Sequence, residues 1–167
     1  MLPDIENLIS ELQASVKGDA FWEDYLAQLT SERPAPFSIH LAVMVEPYLS
    51  YVLQGRKSVE SRFSMRRSTP YGRVKTGDVI LLKHSGGPIV GVCYVTDTWF
   101  YELDPQSWTE VREVFTEALC AQDPSFWQDR QSASFASLMR VQRVRPLKPI
   151  KYSKQDRRGW VVLQASG

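Results

Sequence analysis

The stretch Gly55-Arg56-Lys57-Ser58-Val59-Glu60-Ser61-Arg62 constrains this chain more than any other. Residues 47–54 before it read as a short helix. Gly55 is the residue type that closes a last helical turn, because without a Cβ it takes the left-handed conformation at little steric cost. Beyond it Lys57, Val59 and Ser61 alternate with Ser58, Glu60 and Arg62, which is the period of a strand. Alternation places Glu60 and Arg62 on one face and Lys57 on the other, or at the strand's mouth. So much charge leaving one helix end does not suit an ordinary buried strand. The strand is therefore expected to line a wet cleft, and that cleft is the candidate site.

The rest of the chain divides around this motif. Residues 4–29 read as two short helices: Ile5, Leu8, Ile9, Leu12 and Val16 keep helical spacing behind Asp4 as a cap. Gly18-Asp19 interrupts the run, and Phe21, Trp22, Tyr25, Leu26 and Leu29 resume it. This acidic hairpin, residues 1–33, packs on the domain, pairs with a second copy in a homodimer, or docks a partner; packing is the default. Glu32-Arg33-Pro34-Ala35-Pro36 is a stiff linker, since two prolines exclude helix. A core strand is expected over 37–45. Strands over 79–83 and 89–99 flank a turn at 84–88, with Lys83 and His84 placed to face the cleft. The clearest helix covers 104–120, and a shorter one over 124–130 carries Phe126 and Trp127 toward the core. A strand over 135–144 ends at Pro146 and Pro149, a basic turn fills 152–158, and 159–163 closes the domain.

Net charge is only +1, but it is unevenly spread. Residues 55–75 hold Arg56, Lys57, Arg62, Arg66, Arg67, Arg73 and Lys75 against Glu60 alone, and residues 140–158 hold eight cations against Asp156. Such segregation is the footprint of a basic face that favours polyanions. Residues 63–73, polar and basic around Pro70 and Gly72, read as a loop over the cleft mouth. Metal and cofactor chemistry have no visible home: two histidines and two cysteines stand unpaired, and Gly86-Gly87 lacks the lysine of a phosphate loop. No cofactor is evident, and a need for a divalent ion is not legible. No apolar run approaches the roughly 18 residues of a membrane span, and the first residues do not form a signal peptide. With Cys93 and Cys120 isolated, a cytoplasmic setting is expected.

The motif resembles the ASCH domain, a branch of the PUA-like RNA-binding barrels, in which a short helix leads into Gly-x-Lys-x-x-Glu-x-Arg. Gly55, Lys57, Glu60 and Arg62 stand at those positions. Lys75-Thr76-Gly77-Asp78-Val79-Ile80 fits the turn and strand after the motif, and Arg158-Gly159-Trp160 the start of the last strand. The resemblance covers residues 37–164 and implies an α+β fold: a PUA-like mixed β-barrel of five to six strands with flanking helices, here preceded by the helical hairpin, which compact members lack. It also implies RNA binding, with the motif lysine as the working group of catalytic members. One branch resembles amidohydrolases acting on N4-acetylcytidine, but Glu60 here occupies the place of their threonine. Another resembles ribonucleases that use tyrosine, lysine and serine, for which this chain offers Tyr51, Lys57 and Ser134 or Ser132.

The expected function is binding of single-stranded RNA or a nucleotide in the cleft, with weak ribonuclease activity. Lys57, Tyr51, Ser134 and Glu60 are the expected catalytic set. Arg62, Arg66, Arg67, Lys83 and Arg158 would hold the nucleic acid, and Trp160 or Trp99 would stack on a base. The alternatives are a reader of RNA or a modified base without catalysis, and the amidohydrolase.

Overall fold

The computed structural model describes residues 4–153 and 156–167. Met1, Leu2 and Pro3, and Lys154 and Gln155 of the expected basic turn, lie outside the described residues. The strands are β1 (Ile39–Met44), β2 (Val59–Ser64), β3 (Val79–His84), β4 (Ile89–Glu102), β5 (Phe135–Ile150) and β6 (Trp160–Gln164). They form one sheet in the order β2-β5-β4-β3-β1-β6. Among the described residues only the β1–β3 pair is parallel. The sheet curls into a half-barrel, so its two edge strands, β2 and β6, approach each other without sharing a ladder. This is the mixed α+β barrel expected from the sequence.

Helices α1 (Asp4–Ser15) and α2 (Ala20–Leu26) make the N-terminal hairpin. Its apolar stripe is spent inside its own chain: Ile5, Leu8, Leu12, Val16, Trp22 and Leu26 share one core with Ile39, Leu41, Val79, Leu81, Val92, Leu147 and Ile150. Asp19 caps α2 by accepting from the Trp22 amide. The Trp22 indole donates to the Arg143 carbonyl at 2.8 Å, and the Tyr25 hydroxyl donates to the Gly77 carbonyl. The default expectation of packing therefore describes the hairpin.

Helix α3 (Tyr48–Leu53) stops as the glycine predicts. Gly55 has φ +76, its amide donates to the Val52 carbonyl, and the Arg56 amide reaches back to the Tyr51 carbonyl. These two bonds are the Schellman pattern, which satisfies carbonyls that the helix leaves open. Helices α4 (Pro105–Phe115) and α5 (Pro124–Gln128) and the turn after α4 cover the outside of β2, β4 and β5 with Val111, Phe115, Phe126 and Trp127 from the helices and Leu119 from the turn. Helix α4 ends earlier than expected, because residues 116–120 leave it in turns and Cys120 adopts φ 56.

Strand β5 runs past Pro146 and Pro149 to Ile150, which corrects the expected end near residue 144. The two prolines lie beyond the stretch that pairs with β2, so β5 has only β4 beside it there. Proline, which lacks an N–H, is tolerated in a sheet at edges and bulges, and this stretch is an edge with a register shift between Ile89 and Gly91. The irregular alternation at Arg143 and Arg145 also has a local cause. Between the pairs Val92–Arg145 and Tyr94–Gln142, β5 carries one residue more than β4, and Arg143 adopts φ 55. This is a bulge, and its carbonyl is the one that Trp22 takes.

Candidate functional site

The cleft sits at the open seam of the half-barrel. The Gly55 turn throws the chain from α3 into β2, and the Ser58 amide holds it to the Ala118 carbonyl below α4. Strand β2 begins at Val59, so Lys57 stands at the strand's mouth and not within its alternation. From there its side chain folds toward Glu60. Lys57, Glu60, Ser61, Arg62 and Phe63 form one wall of a cleft of about 270 Å³. Val43, Met44 and Val45 form the other wall, with Tyr48, Phe126 and Arg130 completing it.

Lys57 is 2 % exposed, and its Nζ donates to the Val59 carbonyl at 2.7 Å and lies 3.5 Å from Glu60 Oε1. Burial pulls the Lys57 pKa below the ordinary lysine value, against the opposing pull of Glu60. For Glu60 burial acts upward, but Lys57, Arg62 and the Ser61 amide outweigh it and hold the carboxyl below the usual range. The Ser61 amide donates to Glu60 Oε1 at 2.6 Å. Arg62 stands beside this pair, its Nη2 3.7 Å from Glu60 Oε2.

Arg62 also bridges the seam. Its Nη2 donates to the Val43 carbonyl of β1 at 2.9 Å and its Nη1 to the Gly159 carbonyl, just before β6, at 3.1 Å. Its guanidinium rests 5.3 Å from the centre of a Trp160 ring.

The structure thus gathers Lys57, Glu60 and Arg62 and leaves the other expected site residues elsewhere. Tyr51 is absent from the cleft lining; its ring packs under the Arg56 guanidinium at 4.2 Å. Ser134 is exposed beyond the far end of β5, where its amide pairs with the Ser64 carbonyl. Of residues 63–73, the expected loop over the mouth, Phe63 and Ser64 belong to β2 and Phe63 lines the cleft, while residues 65–73 do not line it. Within that loop Arg66 is exposed, while Arg67 pairs with Glu102 beside Tyr71 and Phe135. Lys83 is buried with its Nζ on the neighbouring His84 carbonyl, and Arg158 is exposed and bound to Asp156. Trp160, 3 % exposed, is a platform beneath Arg62 and offers no open face to a base. Trp99 packs edge-on against Phe115 at 5.0 Å.

Three cleft residues escaped the sequence reading. Tyr48 lies one helical turn before Tyr51, and its ring centre is 5.8 Å from Lys57 Nζ. Burial raises its pKa, so the phenol stays protonated at neutral pH. Phe126 and Arg130 come from α5 and the turn after it. The Arg130 guanidinium lies 3.7 Å over the Phe126 ring, and its Nη1 donates to the Phe126 carbonyl at 2.8 Å. The i, i+4 spacing of Phe126 and Arg130 was the available signal, but the acidic surroundings of residues 97–129 hid it. Among the described residues there is no group of His, Cys, Asp and Glu placed to hold a metal ion, and no helix long and apolar enough to cross a membrane.

The family model described as the ASCH domain matches residues 43–165. Among solved structures, the crystal structure of ASCH from Zymomonas mobilis matches with a TM-score of 0.61 at 10% identity, covering 75% of this chain and 87% of that one. A serine-to-alanine mutant of the same Zymomonas mobilis protein matches with a TM-score of 0.62 at 12% identity, covering 79% of this chain and 92% of that one. No curated protein matches the chain. At such identities the structural likeness speaks for the fold, and the family match, which starts within β1 and runs past β6, speaks for membership. The chain belongs to the ASCH domain family.

Proposed function

We propose that the seam cleft binds one nucleotide unit of single-stranded RNA and that the chain cleaves the RNA there as a weak ribonuclease. The observation that carries this reading is the buried Lys57–Glu60 pair at the floor of a cleft walled by Tyr48, Phe63 and Phe126 and flanked by Arg130. A volume of about 270 Å³ lies near the low end for small-molecule sites. It suits a single unstacked nucleotide and excludes a duplex. Single-stranded RNA supplies such units, and aromatic walls reward them with about 1–3 kcal/mol per stacked base.

In the cleavage step the ribose 2′-oxygen attacks the adjacent phosphorus as the P–O5′ bond breaks. The products are a 2′,3′-cyclic phosphate and a 5′-hydroxyl. Glu60, held as a carboxylate, takes the 2′-hydroxyl proton. Lys57 and Arg130 donate hydrogen bonds to the phosphorane oxygens, and the protonated Tyr48 phenol supplies the proton to the leaving 5′-oxygen. No water is consumed before the cyclic phosphate forms.

The test is incubation of wild type and Lys57→Ala with labelled single-stranded RNA and, separately, with N4-acetylcytidine, with binding followed across salt. RNA cleavage lost in the variant while binding persists supports the proposal. Binding without product in the wild type makes the protein a reader. Turnover of acetylcytidine moves the assignment to an amidohydrolase.

A further inference from the structure

Behind the cleft, a chain of buried polar groups leads from Arg62 through the barrel core. The Trp160 Nε1–H donates to His40 Nδ1 at 3.0 Å, and His40 Nε2 lies 2.8 Å from Asp78 Oδ2. An indole nitrogen only donates, so His40 Nδ1 must accept and Nε2 must carry the proton given to Asp78. The tautomer is thereby set. Asp78 is itself anchored, its Oδ1 accepting from the Ser38 amide at 3.0 Å and its Oδ2 from the Lys75 amide at 2.9 Å. His40, Asp78 and Trp160 are each at most 3 % exposed.

A buried polar network with each of these members paired is costly to disturb and specifies one arrangement. Its output is the plane of the Trp160 indole. That indole donates to nothing in the cleft; what it gives the cleft is a surface for the Arg62 guanidinium at 5.3 Å. Arg62 in turn bridges to Val43 and Gly159 and stands beside Glu60.

We propose that His40 is a positioning residue for the cleft: bonded between Trp160 and Asp78, it sets the indole on which Arg62 rests, and through Arg62 it sets the seam and the Glu60 carboxylate. The proposal rests on the RNA-binding reading for its functional readout, but not for its structural one. Neither His40 nor Asp78 touches a ligand in this scheme.

The test compares His40→Leu, which removes both bonds, with His40→Gln, whose amide accepts at one end and donates at the other. Each is made in the wild-type and in the Arg62→Ala background. Binding of labelled single-stranded RNA should fall about 2- to 30-fold in His40→Leu. It should return in large part in His40→Gln, and the loss should vanish in the Arg62→Ala background. An equal loss in both backgrounds, or no loss in either, overturns the proposal. Trp160→Phe keeps a ring under Arg62 but drops the indole donor, and it replaces His40→Leu should that variant not fold. The Arg62 Nε–H resonance, identified by its absence in Arg62→Lys, gives a readout without ligand. It should shift in the variants that cut the chain and hold in His40→Gln, and an unchanged resonance overturns the proposal. Absence of RNA binding by the wild type would defeat the RNA reading, and this resonance would then decide the positioning role alone.

Discussion

Lys57 Nζ stands 3.5 Å from Glu60 Oε1 with both side chains at most 8 % exposed. A cation and an anion removed from water cost desolvation that their attraction only partly offsets. Such a pair is weak as a source of stability and strong as a preset charge arrangement. It is also unforgiving of the loss of one member.

Lys57→Met leaves Glu60 buried with Arg62, at 3.7 Å, as its remaining ion-pair partner among the described residues. Breaking a buried pair in this way is expected to destabilise the fold by roughly 3–5 kcal/mol. The double variant Lys57→Met/Glu60→Leu should recover much of that loss. Urea unfolding of the three proteins checks both, and a double variant no more stable than the single one would contradict this account.

Acid stability should depend on Glu60. Its folded pKa lies below the unfolded value of 4.5, so the unfolded chain binds the proton more readily. The stabilisation is therefore fully present above pH 4.5 and is lost as pH falls through the folded pKa. In Glu60→Gln this part of the acid limb should flatten. Lys57 acts with the same sign at the other end: its folded pKa lies below 10.5, so stability gains as pH rises between the folded value and 10.5. Lys57→Met should remove that gain. Unfolding free energies across pH measure both limbs.

Arg130 provides the test of where phosphate sits. Arg130→Ala should weaken binding of single-stranded RNA similarly across sequences and lower the salt slope by about one. Arg158→Ala, on an exposed residue bound to Asp156 outside the cleft, should leave that slope nearly unchanged. Binding titrations at several salt concentrations distinguish the two.

Gly55→Ala puts a methyl group where no atom lies within 4 Å, so its cost is conformational only. Holding a non-glycine residue at φ +76 is expected to cost about 1–2 kcal/mol. Thermal or urea unfolding reads the loss, and no displacement of neighbouring side chains should accompany it.

What the sequence showed and what it hid follow from the range of the forces involved. Gly55 was legible because a left-handed turn is a local property of one residue. The strands β1, β3 and β6 were legible because apolar runs between turn signals have few other uses. Lys57 was harder: alternation assigns faces only within a strand, and this lysine precedes it, where a flexible side chain can fold onto Glu60. Tyr51 is near Lys57 in sequence, but the turn at Gly55 reverses the chain and brings the earlier tyrosine, Tyr48, to the cleft. Ser134 was placed by distance along the chain, and the register, which sets Ser64 opposite Phe135, carries it to the wrong end of β2. The His40–Asp78–Trp160 chain joins residues up to 120 positions apart, and no local pattern marks such a union.

The seam bears on how this fold closes. An ordinary barrel is shut by a ladder of backbone bonds, which either forms or does not. Here β2 meets the β1/β6 edge through the fork of one guanidinium, Arg62, whose two arms hold carbonyls on the opposite lip. The width of the slot is therefore set by a side chain with rotatable bonds. A guest that widened the slot would have to move that clasp, which stands 3.7 Å from the Glu60 carboxylate.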